Sequence, residues 1–365
     1  MADSEGNREE DRIARLRLIR TPGIGPVTCH QLLMRFGSAT AALDAVPDLA
    51  RRGGGAAPSI APRAAIEREM AAVAKLGARY LFRGDGIYPR LLTEAEGSPP
   101  VLIVKGDLAL LDRQAVAMVG ARNASAAAVR FARMLASGLS AQRMAVVSGL
   151  ARGIDTAAHI GSIEGGTIAV VAGGVDIFYP PENEALQRDI GERGLIVAEQ
   201  PPGTEPRARH FPYRNRIIAG LAGGTVVIEA APKSGSLITA RFANEFGREV
   251  MAVPGSPLDP RAQGCNLLIR EGATLVQSVD DIVEAIGSFG GRLAEPPRDY
   301  AGGPATDAGD GERRTVTDLL GPVPVPVDEI IRQSALVPAI VQTVLLELEL
   351  GGRLERHAGG RVSLI

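Results

Sequence analysis

The sequence lacks the residues that several common kinds of site require. Its 365 residues include two cysteines, four histidines and no tryptophan. Cys29 and Cys265 lie far apart and no C-x-x-C pair occurs, which excludes a zinc finger or ribbon and argues against a disulfide framework. We therefore expect neither a bound metal nor a cofactor.

The chain is also poor in aromatic residues, in net charge and in long apolar runs. Aromatic residues form 4% of it, which argues against an extensive surface for stacking bases. The formal net charge is −2, so any basic site must be local. No apolar run reaches about 18 residues and Met1–Asp11 is polar and acidic, so neither a membrane span nor a signal peptide is predicted, and we expect a cytoplasmic protein.

The length is enough for two or three domains, and the first of them, residues 1–71, is predicted to be helical. Apolar residues such as Leu16 and Leu32 recur there at helical spacing. Between them, Thr21–Pro26 places two glycines around one apolar residue and predicts a tight turn. This turn is similar to the hairpin of helix-hairpin-helix and SAM-like domains, in which backbone N–H groups can meet a phosphate. A purely structural turn explains the pattern equally well.

The second section, residues 72–287, alternates apolar, β-branched runs with helical stretches such as Ser125–Ala141. Because most of these runs are continuously apolar, they predict strands buried on both faces of a doubly wound, mostly parallel sheet of the extended Rossmann type. The predicted strands are Val101–Val104, Ala115–Val119, Met144–Val147, Thr167–Val171, Leu195–Ala198, Thr225–Ile228, Glu249–Val253 and Thr274–Val276.

The third section follows a stretch rich in Gly, Pro, Ala and Asp, and residues 288–312 are predicted to be a linker. Residues 313–365 then regain order. Val327–Gln333 and Pro338–Leu350 are predicted helices, and a hairpin is predicted to follow them. Helices followed by a hairpin are typical of a winged helix.

In an open parallel sheet, ligands bind beyond the carboxyl ends of the strands, so the loops after the strands are the candidate sites. The loop after Ala115–Val119 holds Gly120, a turn residue, Arg122, a candidate phosphate ligand, and Ser125, a candidate helix cap. It is not the G-x-G-x-x-G dinucleotide motif, and no acidic residue follows at the distance that holds a ribose.

Two later loops repeat this pattern. In Ser148–Asp155, two glycines and a serine precede a predicted helix. In Lys233–Thr239, a lysine stands beside a helix start formed by glycine and serine. Such a helix start can bind an anion, but the segment does not match the Walker motif. His159, on the first of these helices, is expected to be a packed histidine. Asn183 is a predicted N-cap in a loop that we interpret as architectural.

The segment Pro206–Ile218 is rich in arginine, and Phe211 and Tyr213 lie among its basic residues. Arginines beside aromatic rings suit the backbone and unstacked bases of a single strand. A solvated arginine face over two core aromatic residues explains the segment equally well.

Several runs of the middle section together resemble the DNA-processing protein (DprA, Smf) family. They are SGLARGID at 148–155, FPYRNRIIAGL at 211–221, KSGSLITA at 233–240, VPGSP at 253–257 and GCNLLIREGA at 264–273. The family often adds a SAM-like domain before this section and a winged helix after it, and the end of this chain, LLELELGGRLERHAGG, looks like that winged helix.

The resemblance implies a single-stranded DNA-binding protein of DNA processing and natural transformation. It also implies that the protein protects incoming strands, loads the RecA recombinase, forms a homodimer and is not an enzyme. The DNA-binding residues predicted from the loops and the resemblance are Gly120, Arg122, Asn123, Ser125, Ser148, Gly149, Arg152, Gly153, Arg214, Asn215, Arg216, Lys233, Ser234, Gly235, Ser236 and Thr239.

Two alternatives belong to other classes of protein. Nucleotide-processing hydrolases of the phosphoribohydrolase group share this kind of sheet and place a Thr at a helix start, followed by catalytic glutamates. Here Thr239 is followed by Ala240, Arg241 and Phe242, with no acid where the chemistry needs one. The winged helix, whose acidic and basic residues nearly balance, suits a protein-binding adaptor as well as a DNA reader.

Overall fold

The computed structural model describes residues 2–290, 307–357 and 359–365 of the protein. The chain divides into two compact units. One, the α/β unit, runs from Glu69 to Pro296, and the other, the terminal unit, combines Met1–Arg68 with Pro297–Ile365. The two ends of the chain therefore share one unit, although the sequence predicts a separate domain at each end. The predicted boundaries at residues 71, 287 and 312 stay predictions.

The α/β unit alternates strands and helices along almost its whole length. Its strands are β1 (Arg79–Phe82), β2 (Val101–Gly106), β3 (Ala115–Gly120), β4 (Ala145–Ser148), β5 (Thr167–Val171), β6 (Leu195–Ala198), β7 (Gly224–Ile228), β8 (Glu249–Ala252) and β9 (Thr274–Leu275). Helix α4 (Arg63–Lys75) crosses the boundary between the two units. The helices that follow it in the α/β unit are α5 (Arg90–Glu94), α6 (Ala126–Ala141), α7 (Ile154–Ser162), α8 (Glu184–Arg193), α9 (His210–Leu221), α10 (Gly235–Glu245), α11 (Gln263–Arg270) and α12 (Val279–Gly290).

The nine described strands of this unit form one sheet in the order β1-β2-β6-β5-β4-β3-β7-β8-β9. From β6 to β9 all neighbours are parallel, whereas β1 and β2 extend the sheet in antiparallel pairing. All eight predicted strands are present, with ends that differ by one or two residues, and β1 is an additional strand. The predicted fold, a doubly wound and mostly parallel sheet, is confirmed.

Side chains of the central strands alternate between two cores, as the two-residue repeat of a strand requires. On β3, Ala117 and Val119 pack on one face with residues of α9 and α10, whereas Val116 and Met118 pack on the other face with α6, α7 and α12. Because helices cover both faces, the polar residues of this unit gather where the strands end.

The terminal unit contains two groups of elements. The first is α1 (Ala2–Arg20), α2 (Pro26–Phe36) and α3 (Ala39–Arg52). The second is α13 (Asp310–Asp318), β10 (Val325–Pro326), α14 (Val327–Ser334), α15 (Pro338–Leu350), β11 (Leu354–His357) and β12 (Arg361–Leu364). The second group has the order of a winged helix, and its strands pair antiparallel as β10-β12-β11.

The predicted helices and hairpin of the winged helix are confirmed, although α13 begins at Asp310, inside the predicted linker. Most of that linker lies outside the described residues. Cys29 and Cys265 are both buried, and neither is in a disulfide. Within the described ranges, no helix is long and apolar enough to cross a membrane.

Candidate nucleic-acid interface

Two adjoining cavities open at the carboxyl edge of the parallel strands, where loops follow β3, β4, β5 and β7. The first cavity has a volume of about 250 Å³ and the second about 300 Å³. Both are lined by Arg122, Asn123, Ala151, Phe211 and Arg214. We call the two together the edge groove. Its position is the one at which open α/β sheets bind ligands.

Arg122 and Phe211 form the divide between the two cavities. Arg122 is exposed in the loop after β3, and its guanidinium carbon lies 5.4 Å from the ring centroid of Phe211 in the first turn of α9. The Phe211 ring lies 5.5 Å from that of Tyr179, which is 45% exposed. Among the described residues, no carboxylate forms an ion pair with Arg122, so its charge is available to a ligand.

Arg214, one turn further along α9, forms the floor of both cavities and is only 6% exposed. Its guanidinium donates to the carbonyl oxygens of Gly149 and of Val170, the latter at 2.6 Å. Burial lowers the pKa of Arg214 to about 10, and the nearby carboxylate of Asp155 opposes this shift. The buried charge is thus satisfied largely by neutral carbonyl dipoles.

Gly149 is required for this arrangement. A Cβ atom at this position would lie 2.1 Å from a guanidinium nitrogen of Arg214. Gly120 and Gly153 have a similar role nearby, since a Cβ atom on either would collide with the backbone of a neighbouring loop or strand. The three predicted glycines therefore shape the groove through close packing.

The start of α10 lines the second cavity. Ser234 and Ser236 share a hydrogen bond of 2.6 Å between their hydroxyl groups, and the Asn215 side chain donates to the carbonyl oxygen of Gly235 at 3.2 Å. Thr239 lies one turn further and is 1% exposed. The unpaired N–H groups of a helix start favour an anion at this position.

Lys233 precedes this helix start and is exposed, in a backbone conformation with a φ of 65°. It lines neither cavity. Because the next residue, Ser234, lines the second cavity, Lys233 lies at the margin of the groove.

Three of the predicted residues have side chains that are occupied elsewhere. The fully buried Ser148 donates to the carbonyl oxygen of Met118 at 2.6 Å. Ser125 caps α6 and donates to Glu229 at 2.6 Å. Arg216 pairs with Glu199 at 2.6 Å and lines neither cavity. The structure therefore does not bring the Ser148 and Arg216 side chains into the groove, and Ser125 supports the loop that carries Arg122.

Arg152 lines the first cavity and forms an ion pair with Glu182, in which both side chains are more than half exposed. An exposed pair of this kind has little energy of its own and is easily exchanged for another partner. Arg152 is therefore a cation at the rim of the groove that is neutralised in this structure.

Asp155, which lines the second cavity, and His159, which lies behind it, are structural. Asp155 accepts hydrogen bonds from the backbone N–H groups of Gly149 and Ala151, and burial raises its pKa. His159 is fully buried, bonds to the Thr167 hydroxyl at 2.7 Å, and has its pKa lowered to about 3 by burial. His159 is thus the packed histidine that the sequence predicts.

Asn183 is at the start of α8, but its side chain makes no cap there. It donates instead to the carbonyl oxygen of Leu150 and to the Thr156 hydroxyl, both at 2.9 Å. The predicted N-cap is wrong, because the side chain bonds to the loop after β4 and to helix α7 instead. The predicted architectural role is confirmed.

Sequence reasoning missed Arg261, which lines the second cavity from the loop after β8 and forms an ion pair with Asp259 at 2.8 Å. The strand-end rule that identified Arg122 extends to this loop, since β8 is parallel to β7. The sequence also gives no indication of Tyr179, since it predicts an architectural role for that loop.

Comparison with known proteins agrees with the fold and with the motifs. The family model described as DNA recombination-mediator protein A matches residues 79–287. Models of a DprA-like N-terminal HHH domain and of a DprA winged helix domain match residues 9–72 and 300–360.

Individual relatives cover much of the chain. DNA processing protein DprA of Streptococcus pneumoniae is 47% identical over 54% of this chain and 71% of its own length. Protein Smf of Escherichia coli is 35% identical over 83% of this chain and 82% of its own.

Two solved structures share the fold. The X-ray structure of DprA from S. pneumoniae matches with a TM-score of 0.64 and 38% identity, covering 74% of this chain and 97% of that one. A structure of the Helicobacter pylori protein, described in terms of its single-stranded DNA binding mode, matches with a TM-score of 0.53 and 26% identity over 58% of this chain and 96% of that one. By the extent of the family match and of these relatives, the chain belongs to the DNA-processing protein A (DprA, Smf) family.

Proposed function

We propose that this chain binds single-stranded DNA in the edge groove and acts in DNA processing without being an enzyme. One observation carries the proposal. A single opening at the edge of the sheet combines the free cation Arg122, the helix start at Gly235 and the aromatic ring of Phe211. Cations and backbone N–H groups suit phosphates, and an aromatic ring suits an unstacked base.

The second cavity is suited to the strand's backbone. Helix α10 points its first turn into this cavity, and the partial positive charge of a helix start favours a phosphate there. Arg122 is at one side of this position, and Lys233 is exposed beside it. Because phosphate contacts carry no sequence information, we expect little sequence preference.

The first cavity is suited to a base. Phe211 and Tyr179 supply rings at its wall, and the remaining lining combines apolar residues and glycines with Asn123 and three arginines. A cavity of about 250 Å³ can receive a base only from a strand whose bases are free to leave the stack. This favours single strands over duplex DNA.

The lining of the groove is unsuited to hydrolysis. Among the described residues that line the two cavities, Asp155 is the sole carboxylate, and its Oδ2 already accepts from two backbone N–H groups. Acid–base catalysis needs a positioned titratable group that can exchange its proton with the substrate. ATP and nucleoside monophosphates should therefore stay intact; turnover by the pure protein that disappears in Thr239→Ala would favour the hydrolase alternative.

The finer parts of the proposed function rest on family membership. They are protection of incoming strands in natural transformation, loading of the RecA recombinase, a cytoplasmic location and a homodimer. Leu267 on α11 and Leu275 on β9, exposed by 39% and 42%, are available for a dimer contact. Sedimentation that shows only monomer at micromolar concentration would reject the dimer. Failure to stimulate RecA assembly on strands coated with single-strand-binding protein would reject the loading role.

A salt-resolved titration tests the central proposal. Matched single-stranded and duplex oligonucleotides are titrated at several salt concentrations. We expect tighter binding of the single strand and a steep fall in affinity with salt, with a slope of about 0.7 for each phosphate contacted. Equal affinity for the two forms, or a flat salt response, would contradict the proposal.

A further inference from the structure

The second helix of the winged helix's helix-turn-helix, α15, is where a DNA reader of this type would contact a duplex. In such readers this helix lies in the major groove and presents side chains to the bases. Here α15 contains neither Lys nor Arg and has two glutamates. Nine of its 13 residues are buried, so little of its surface is left for a groove.

Each face of α15 packs against a different core. Val341, Val344 and Leu348 belong to the core of the winged helix itself. Leu346 and Leu350 belong instead to the core formed by α1, α2 and α3. The face of α15 that carries Leu346 and Leu350 is therefore covered by the N-terminal helices of the same chain.

The two backbones approach closely at the end of α3. A Cβ atom on Gly53 would lie 1.9 Å from the carbonyl oxygen of Glu347, and one on Gly55 would lie 1.8 Å from that of Gly351. Such an approach is possible only with glycine, so the end of α3 and the end of α15 are in direct backbone contact.

Polar contacts surround this apolar contact. Arg35 donates to the Thr343 hydroxyl at 3.0 Å, and the side chains of Gln31 and Gln342 bond at 2.9 Å. Arg52 pairs with Asp307 at 2.6 Å. The arginines of α2 and α3 thus meet acceptors on the C-terminal part of the chain, so the two surfaces match in both shape and charge.

We propose that the winged helix is a docking module for the chain's own N-terminal helices, with α15 as the contact surface, and that α15 does not read duplex DNA. The partner is an apolar helix face, formed by α3 and flanked by Arg35 and Arg52. This inference is independent of the edge groove, which belongs to the α/β unit.

Cleavage of the full chain provides the test. A specific protease site is placed within residues 291–306, and the cut protein is passed over a sizing column. The C-terminal fragment should remain bound to the rest of the chain. Its release in low salt directly after cleavage would overturn the proposal.

Two glycine substitutions sharpen this test. Gly53→Ala should weaken retention of the fragment by roughly tenfold or more, because the added atom must displace rigid backbone. Gly25→Ala is the matched control, since Gly25 lies in the same helical segment with open space around its Cβ position and an ordinary φ of −87°. Equal retention in Gly53→Ala and the unmodified chain would contradict the close approach.

Hydrogen exchange on the intact chain keeps the proposal testable if Gly53→Ala does not fold. Peptides that cover α15 should be strongly protected, and duplex DNA should leave their exchange unchanged. Duplex-dependent protection of α15, together with faster exchange of α3, would show that DNA displaces the N-terminal helices and would overturn the proposal.

Discussion

The edge groove and the contact between α3 and α15 are both rich in arginine, but their arginines face different partners. In the groove, Arg122 lies over an aromatic ring and Arg214 donates to backbone carbonyl oxygens. In the terminal unit, Arg52 pairs with Asp307, and Arg313 forms two hydrogen bonds with the buried Glu347. Carboxylates pair with Arg152 and Arg261 in the groove, as they do with the arginines of the terminal unit, but Arg122 and Arg214 bind neutral partners and leave the groove with positive charge.

This difference shows that the number of arginines does not identify a nucleic-acid site. A guanidinium that already has a carboxylate partner must give up that pair before it can bind a phosphate. A guanidinium held by a ring or by carbonyl oxygens keeps its net charge. The two regions therefore differ in potential although they are similar in composition, and four sets of variants test that contrast.

Charge reversal of Arg122 should have the largest effect. Arg122→Glu should weaken single-strand binding by roughly ten- to a hundredfold, because a hydrogen bond to a charged group contributes about 1.5–3 kcal/mol. The slope of log affinity against log salt should fall by the contribution of about one phosphate contact, and the thermal stability should stay the same. Arg314→Glu, an exposed site in the terminal unit, is the control and should bind normally. Equal losses of single-strand affinity in both variants would show that the groove and the terminal unit do not differ in their attraction for DNA.

Gly149→Ala tests the packing that holds Arg214 in the groove. The new Cβ would lie 2.1 Å from the guanidinium, so we expect a loss of about 1–3 kcal/mol in the free energy of unfolding, as for other overpacked positions. Gly235→Ala, with no atom near its Cβ position, should keep the unfolding free energy and weaken only DNA binding. Urea unfolding of both variants measures this, and a stable Gly149→Ala variant would show that Arg214 can move freely.

The pH dependence of stability tests the buried wall of the groove. The unfolded chain protonates His159 near its ordinary pKa of 6.5, but burial lowers the folded pKa to about 3, so stability is lost as the pH falls from 6.5 toward 3. The loss is about 1.4 kcal/mol per pH unit in this window. His159→Gln should flatten that decline between pH 6.5 and 5. Parallel pH curves for His159→Gln and the unmodified chain would contradict this prediction.

Lys233→Gln should have the smallest effect. Lys233 is exposed and lines neither cavity, so the loss of its charge should weaken single-strand binding only a few fold while the salt slope falls by about one. Lys75→Gln, an exposed lysine at the end of α4, is the matched control. A loss as large as that of Arg122→Glu would place the strand closer to Lys233 than to the cavities.

The sequence predicts the sheet and the position of the groove because both depend on local patterns. Strands buried on both faces appear as continuous apolar runs, and parallel strands bring the loops after them to one edge. This pattern does not predict strand β1, because only one of its four residues, Leu81, is aliphatic and the strand begins with Arg79. Edge strands of this kind need not be apolar on both faces.

The side chains that point into the groove could be predicted only in part. Arg214 and Arg216 are two residues apart on α9, and residues at that spacing face different sides of a helix. One of them therefore forms the floor of the groove, and the other pairs with Glu199. The contact between α3 and α15 could not be predicted, because it joins residues about 300 positions apart and leaves no local pattern.

The shared core of the terminal unit also sets an order of folding. Helix α3 is made early, but Leu346 and Leu350, which complete its core, are made near the end of the chain. Arg35 and its partner Thr343 are separated by 308 residues. At a synthesis rate of about 5–20 residues per second, the apolar face of α3 remains uncovered for roughly 15–60 s. The α/β unit can fold during that interval, and the oldest helices of the chain are among the last to reach their final packing.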